Sequence, residues 1–514
     1  MKCLLVYPEM PDTFYALKHF VHVAGKKAAF PPLGLLTVAG LLPESWELRL
    51  VDLNVEPLTD QQLAWADLVL LSAMNVQEES VRDILAMCDK HPAKVLAGGP
   101  LFTHEYERFP SVDYFVLNEA EITLPRFLAD LEKGEVRRIY KSPEFADVTA
   151  SPLPVYRLVD MNDYMYAIVQ YSRGCPYLCD FCDVTALFGR KPRTKTPEQI
   201  LAELDLIRQH SKGNLVLFAD DNLIGNKKVL KKELLPALID WQRRQKYGFY
   251  FATQLTINVA DDEELMTMLA DAGFRSVFIG IETPEEAGLK GSHKTQNLKR
   301  DLLETIHRIH RRGFTIYGGF IVGFDTDTAD SFEILRDFIQ DSGIPMPIVN
   351  VLKAPPGTEL FARMKRENRL IKDFAFEEGD TNIRPIMDGT LLIRGFLEVV
   401  DGIYTPKNSY KRFKAYLDNA QYTGSATVIR TQIGWNEVKQ GLRILFFLGV
   451  QNKDRKYFWK MLYLVKIRHR KSMDMAIILN LLSVQMAITA QHLREQAAIN
   501  IEELKQPPKQ LASA

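Results

Sequence analysis

The sequence predicts an α/β protein in three parts: an N-terminal doubly wound parallel sheet, a partial TIM barrel, and a mainly helical C-terminal region. Two patterns carry that expectation. Over the first 135 residues, short apolar runs bounded by Pro, Gly, Asp or Asn alternate with helical periodicity, and six more strand-like runs alternate with helical segments between 166 and 375. After that the strand pattern stops. The boundaries expected are 1–135 for a Rossmann-like domain, 136–165 for a linker, 166–375 for the barrel, and 376–514 for the helical region with a disordered tail.

The first five strands are expected at Cys3–Tyr7, Leu48–Leu53, Leu68–Ser72, Lys94–Ala97 and Tyr114–Leu117. An open parallel sheet binds ligands at the carboxyl ends of its strands, here around Pro8, Ser72 to Asn75, Gly98-Gly99 and Asn118 to Glu121. Barrel strands are expected at Ala167–Tyr171, Leu215–Ala219, Tyr250–Gln254, Ser276–Ile281, Ile316–Val322 and Pro347–Leu352, with the chemistry on the loops that follow them. The polar tail from Gln506 to Lys509 is expected to be disordered.

With 514 residues, 46% of them apolar, the chain can bury several cores. Its 64 basic and 65 acidic residues nearly cancel, which argues against a nucleic-acid partner held by a broad electrostatic surface. Met1 to Tyr7 breaks at Pro8, the length of a strand and not of a secretory signal, so a cytoplasmic location is expected. The most apolar C-terminal stretch, Ala476 to Thr489, is interrupted by Asn480, Ser483 and Gln485, so any membrane contact is expected to be peripheral, at the inner face.

Five cysteines are present, and three crowd into Cys175-Pro-Tyr-Leu-Cys179-Asp-Phe-Cys182. An odd count concentrated in eight residues does not suit a disulfide framework. Structural zinc takes four protein ligands, and no fourth Cys or His lies between Glu105 and Gln209. A cubane cluster held by three thiolates keeps one iron open to a further ligand. Cys3 and Cys88 read as small buried hydrophobes.

The Cys-x-x-x-Cys-x-x-Cys loop, with aromatic Phe181 before its last cysteine, resembles the radical S-adenosylmethionine (SAM) superfamily. That resemblance implies a 4Fe-4S cluster on Cys175, Cys179 and Cys182 whose free iron chelates the amino and carboxylate groups of SAM before one-electron cleavage, with flavodoxin or ferredoxin as external electron donor. It also implies SAM contacts from Phe181, from Asp220, Asp221 and Asn222 on the amine, from Glu282 on the ribose, and from the backbone around Gly323 on the adenine. The family more usually carries Gly-Gly-Glu where this chain has Asp220 to Asn222. For each acidic residue a helix N-cap is the competing reading, and for the glycine a tight turn.

A doubly wound domain before such a barrel resembles the cobalamin-binding radical SAM class, as do Phe30 to Leu35, Gly98-Gly99-Pro100, Glu119-Ala120-Glu121 and Arg190 to Pro197. The resemblance implies cobalamin contacts at Ser72, Met74, Asn75, Gly98, Gly99 and Glu119. The Asp-x-His-x-x-Gly signature is missing after the first strand, and Asp89-Lys90-His91 lies near a helix end. His91 is therefore expected at the surface and the cobalt without a histidine below it; a domain that binds no cobalamin is the alternative.

The C-terminal extension resembles that of hopanoid methylases and tetraether-lipid ring synthases, which implies radical chemistry at an unactivated carbon of a small molecule or lipid. Cobalamin-dependent methylation is the favoured reaction. Cobalamin-independent rearrangement or ring formation, and a non-catalytic iron–sulfur or cobalamin sensor, are its rivals. The run from Lys453 to Lys471 interleaves eight basic residues with aromatic and apolar ones, suiting either a helix in a lipid headgroup region or an amphipathic helix packed on the protein.

Overall fold

The computed structural model describes residues 1–14, 17–245, 248–374, 378–420, 435–468 and 473–505. The tail at Gln506 to Lys509, the Arg470-Lys471 end of the basic run and the 375/376 boundary lie outside the described residues. The chain divides into two compact units, one of residues 1–18, 26–175 and 186–213, the other of 19–25, 176–185 and 214–514.

In the first unit six strands, β1 (Lys2–Tyr7), β2 (Glu47–Asp52), β3 (Leu68–Ser72), β4 (Lys94–Gly98), β5 (Tyr114–Val116) and β6 (Ile139–Tyr140), form one sheet in the order β2-β1-β3-β4-β5-β6. Every pairing is parallel. Alternation places Cys3 and Leu5 in one core and Leu4 and Val6 in the other, so both faces are covered, as a doubly wound sheet requires. The order reverses between β1 and β3, and the crevice beyond their carboxyl ends is where this topology takes ligands.

The segment expected as a linker over 136–165 is instead part of this unit. Ile139–Tyr140 adds the sixth strand beside β5. Tyr156, Met161 and Tyr164 are buried, and the Tyr164 hydroxyl donates to Asp52 Oδ2 at 3.0 Å. The Ser-Pro-Leu-Pro composition that signalled a spacer serves here as extended chain laid over the sheet. The strand expected to begin the barrel, β7 (Ala167–Val169), is an edge strand of the six-stranded barrel sheet, as expected, and the Tyr156 hydroxyl donates to the carbonyl of Ile168 within it.

In the second unit β8 (Leu215–Phe218), β9 (Tyr250–Gln254), β10 (Phe274–Glu282), β11 (Thr315–Val322) and β12 (Met346–Val351) pair in parallel in sequence order. Phe218, Phe251 and Phe274, from three neighbouring strands, meet with ring centroids 5.1 to 5.2 Å apart and anchor the core. Helix α1 (Leu302–Arg311) precedes β11.

Past the helix Glu359–Arg366, five more follow among the described residues: α2 (Gly389–Ile403), α3 (Pro406–Asn419), α4 (Trp435–Phe446), α5 (Arg455–Arg468) and α6 (Met473–Lys505). Arg412 of α3 is fully buried and donates to the carbonyls of Ile403 and Ile344 at 2.6 and 3.2 Å, so the negative end of α2 helps satisfy a cation that forms no ion pair among the described residues. Within α6, Met475–Lys505 is long and apolar enough to cross a membrane by length and composition. Its residues Ala476, Leu479, Leu482, Met486 and Leu493 are buried at helical spacing, the pattern of a core helix.

Candidate functional site

In the second unit, polar groups of the cysteine loop and of the barrel strand ends converge. The Cys182 N–H donates to the Cys179 carbonyl at 3.2 Å, closing a tight turn around Phe181. Gln296 directs its Nε2 at Cys179 Sγ, 3.7 Å away, and Lys294 Nζ lies 5.9 Å from the centre of the Phe181 ring. At the end of β10, Glu282 holds Lys294 through a 2.6 Å ion pair, with both side chains buried. Glu282 sits in the left-handed region at φ +67°, beside a register shift between β10 and β11. Such a conformation costs a non-glycine residue on the order of 1–3 kcal/mol and persists only where its surroundings enforce it.

Gly280 makes room for this pair: a Cβ there would stand 2.4 Å from Glu282 Oε1 and 2.9 Å from Lys294 Nζ. Asn297 donates to the carbonyls of Gly280 and Ile281 at 3.1 and 3.0 Å, tying the following loop to the strand end. Asn222, after β8, accepts from the Thr256 N–H at 3.3 Å. Gln296 Oε1, Asn297 Oδ1 and Asn222 Nδ2 are buried without a partner among the described residues. Two acceptors and one donor withheld from water cost free energy unless a ligand completes them.

Asp220 is buried and Asp221 half-exposed after the same strand. Gly323 lies at φ +96°, and its N–H donates to Asp327 Oδ2 at 2.7 Å, so a turn fixed by Asp327 shapes this strand end. Burial pushes the Asp327 carboxyl up to about 6, against those backbone bonds. A cleft of about 590 Å³ opens beside the cysteine loop between Asp180, Ser292, Phe324 and the Asp325–Arg363 pair.

The donor set suits an iron–sulfur cluster: soft thiols on one loop, at a spacing that leaves an iron open. Burial pushes the Cys182 thiol up to about 12 and raises that of Cys179, while Lys294 favours the thiolate of both. Among the described residues no three Cys, His, Asp or Glu side chains stand together as a metal cage. Cys175 belongs to the first unit, where its N–H donates to the Gly189 carbonyl at 3.2 Å. Cys3 and Cys88 are buried among apolar neighbours. Lys294, Gln296 and Asn297 were not singled out in the sequence, because a polar run twelve to fifteen residues after a strand carries no periodic signal.

In the first unit, Glu119 turns out to be a structural clamp. Its carboxylate accepts from Arg173 and Arg193, both at 2.9 Å, and from the Ala146 N–H at 2.8 Å. Burial alone would raise Glu121, but Arg173 and Ser151 hold it at about 2. The Glu119-Ala120-Glu121 and Arg190 to Pro197 segments thus meet at Arg173, two residues before Cys175.

Gly98 and Gly99 are required by packing within the sheet. A Cβ on Gly98 would lie 2.7 Å from the Val116 carbonyl, and one on Gly99, at φ +94°, 2.8 Å from that of Ala73. At the switch between β1 and β3, Gln77 Nε2 donates to the Pro8 carbonyl at 2.7 Å, and Asn54 Nδ2 donates to it at 3.2 Å. Ser72 ends β3 and Met74 is exposed, while Asn75 Oδ1 and Asn118 Oδ1 are buried without partners among the described residues, polar groups that fit a ligand laid over these strand ends. His91, expected at the surface, is largely buried, its side chain 15% exposed, and bonds to the exposed Asp60.

Comparison with known families assigns residues 22–128 to the B12 binding domain, 169–339 to the radical SAM superfamily, and 358–504 to a domain of unknown function, DUF4070. The chain is 40% identical to an uncharacterized methyltransferase, sll1242, of Synechocystis, over 76% of this chain and 72% of that one. It is 32% identical to hopanoid C-2 methylase of Rhodopseudomonas palustris, over 89% of this chain and 88% of that one. Among solved structures, the cobalamin-dependent SAM radical enzyme OxsB, with aqua-cobalamin and SAM bound, superposes at a TM-score of 0.59 with 15% identity, over 99% of this chain and 82% of that one.

Proposed function

Because the chain belongs to the radical SAM superfamily, in the branch that carries a B12-binding domain and the DUF4070 extension, we propose that it methylates an unactivated carbon of a lipid. The extended similarity to hopanoid C-2 methylase, which runs through the C-terminal domain, is the observation that carries the lipid reading. When bound, the cluster, SAM and cobalamin supply one-electron bond cleavage and a carried methyl group.

Around them the chain's own residues bind, orient and neutralise. Cys175, Cys179 and Cys182 are the proposed cluster ligands. Lys294 offsets the negative charge of the thiolates and is itself fixed by Glu282. Gln296 Oε1 and Asn297 Oδ1 are acceptors suited to an ammonium or hydroxyl donor of SAM, and Asn222 Nδ2 is a donor suited to its carboxylate. Asp220, Asp221, Phe181 and Gly323 complete the proposed SAM site. Ser72, Met74, Asn75 and Asn118 are the proposed cobalamin contacts. A one-electron donor of the flavodoxin or ferredoxin kind supplies the reducing equivalent, and the protein meets its lipid as a peripheral protein at the inner membrane face.

The test uses the reconstituted enzyme, methyl-labelled SAM and membrane lipid extracts. Label in a lipid together with 5′-deoxyadenosine is the expected result. Release of 5′-deoxyadenosine with no label in any product would move the enzyme to rearrangement or ring formation.

A further inference from the structure

We infer that α4 and α5 form a hairpin whose exposed face docks on an anionic lipid bilayer, which deepens, and rests on, the lipid reading above. The sequence marked only a basic run; the structure adds an apolar surface assembled from two helices. Leu442, Leu445 and Phe446 of α4, with Val450 in the π-helical turn Phe447–Gln451 that continues it, recur at i, i+3, i+4 and i+8 and are exposed, Leu442 by 60% and Phe446 by 53%. On α5, Trp459, Tyr463 and Ile467 recur at i, i+4 and i+8 with exposures of 49%, 70% and 56%. The opposite face of α5, Phe458, Met461 and Val465, is buried. Trp459 Nε1 donates to the Gly449 carbonyl at 3.0 Å, which pins the hairpin and satisfies the indole while its ring stays half in solvent. A monomeric surface seldom gathers this much aromatic and aliphatic area without a partner.

Charge identifies the partner. Between Trp435 and Arg468 stand eight Lys and Arg against two Asp and Glu, a local net charge of +6 in a chain whose total is −1. On α5 the exposed Lys456, Lys460 and Lys466 flank the Trp459–Tyr463–Ile467 stripe. Two copies of so positive a face repel each other, whereas an anionic headgroup layer attracts it and accepts the aromatic groups at the boundary with the acyl chains.

Full-length protein is floated with vesicles of phosphatidylcholine, alone or mixed with phosphatidylglycerol, at low and high salt, while its mass is measured in solution. A Lys456→Gln/Lys460→Gln/Lys466→Gln variant and a Phe446→Ser/Tyr463→Ser/Ile467→Ser variant accompany wild type; all six residues are exposed and the Trp459 pin is untouched, so both variants retain their cores. Wild type should float with the anionic vesicles, and less at high salt. The lysine variant should lose affinity for them on the order of a hundredfold, and the serine variant should lose binding to both compositions. Wild type that floats with neither, or variants that float as well as wild type, would overturn the inference. So would a wild-type dimer that the serine variant converts to monomer, because the face would then be an interface between copies. SAM cleavage without vesicles should be equal in all three proteins. Vesicle binding without label in any lipid would leave the docking surface standing and remove the substrate assignment.

Discussion

Two residues after β5 in the first unit, Asn118 adopts φ +64°; at the end of β10 in the second, Glu282 adopts φ +67°. Asn enters this region at small cost because its short amide bonds locally, whereas glutamate does so only under constraint. The neighbours differ in the same sense. Around the first unit's strand ends the ionic groups are paired off inside the protein: Glu119 with two arginines, Asp52 with Tyr164 and Asn54. Around β8 and β10 a strained glutamate and a buried ion pair stand beside the unpaired amide atoms of Asn222, Gln296 and Asn297, whereas at the first unit's strand ends Asn75 Oδ1 and Asn118 Oδ1 are unpaired among the described residues without such strain. A surface that holds a large cofactor can be built with little backbone strain, while a site that orients a reacting molecule stores it.

The largest effect on this contrast comes from the thiols. Replacing Cys175, Cys179 and Cys182 with Ala should remove bound iron and the broad visible absorbance, and reduce 5′-deoxyadenosine release to background. The Cys3→Ala/Cys88→Ala protein should keep all three; the reverse outcome would place the cluster elsewhere.

Lys294→Met should come next. It strands the Glu282 carboxylate in a buried position, a cost of about 3–5 kcal/mol measurable by denaturant titration. Adding Glu282→Gln should restore most of that stability. SAM affinity, measured by calorimetry, should stay down about 10–100-fold in both proteins if the pair positions the site. Affinity that recovers along with stability would reduce the pair to a structural tie and weaken the contrast between the two sheets.

Strand periodicity, turn residues and the cysteine spacing made the two sheets and the three thiols legible in the sequence, since each is a local pattern. What escaped was pairing between distant residues. Nothing in the spacing joins Glu119 to Arg193, 74 positions apart, or Glu282 to Lys294 across a loop. The 136–165 segment was misread because Pro-rich composition reports the absence of helix and says nothing about burial. The close approach of the Val116 and Ala73 carbonyls to Gly98 and Gly99 was likewise not readable from the glycine pair itself.

A third test separates unmet polar groups that await a ligand from those that are merely costs. His310 in α1 is fully buried against the Tyr416 ring, with neither ring nitrogen paired among the described residues, and burial pushes its pKa down to about 3. The folded state disfavours the proton, so stability is complete above the unfolded value near 6.5 and falls as pH drops toward 3, by about 1.4 kcal/mol per pH unit. At pH 5 the loss should be about 2 kcal/mol by denaturant titration. His310→Leu should abolish that slope and leave SAM affinity unchanged, whereas Asn297→Leu should lower SAM affinity. Equal losses of affinity in both variants would mean that unpaired burial does not mark the site.

His91→Ala should produce the smallest change. His91 pairs with Asp60, whose side chain is 78% exposed, so the contact is worth about 0.2–1 kcal/mol at most. The residue lies past the helix Glu78–Cys88, at the amino-terminal edge of β4, whereas ligands of such a sheet sit at the carboxyl ends. Cobalamin should therefore bind the variant as it binds wild type, and the paramagnetic spectrum of its reduced cobalt should show no protein nitrogen in either. A nitrogen coupling present in wild type and lost in His91→Ala would put the cofactor on the opposite edge of the sheet. The first unit would then be an active participant in metal ligation, and the division between a relaxed holding surface and a strained reacting site would fail.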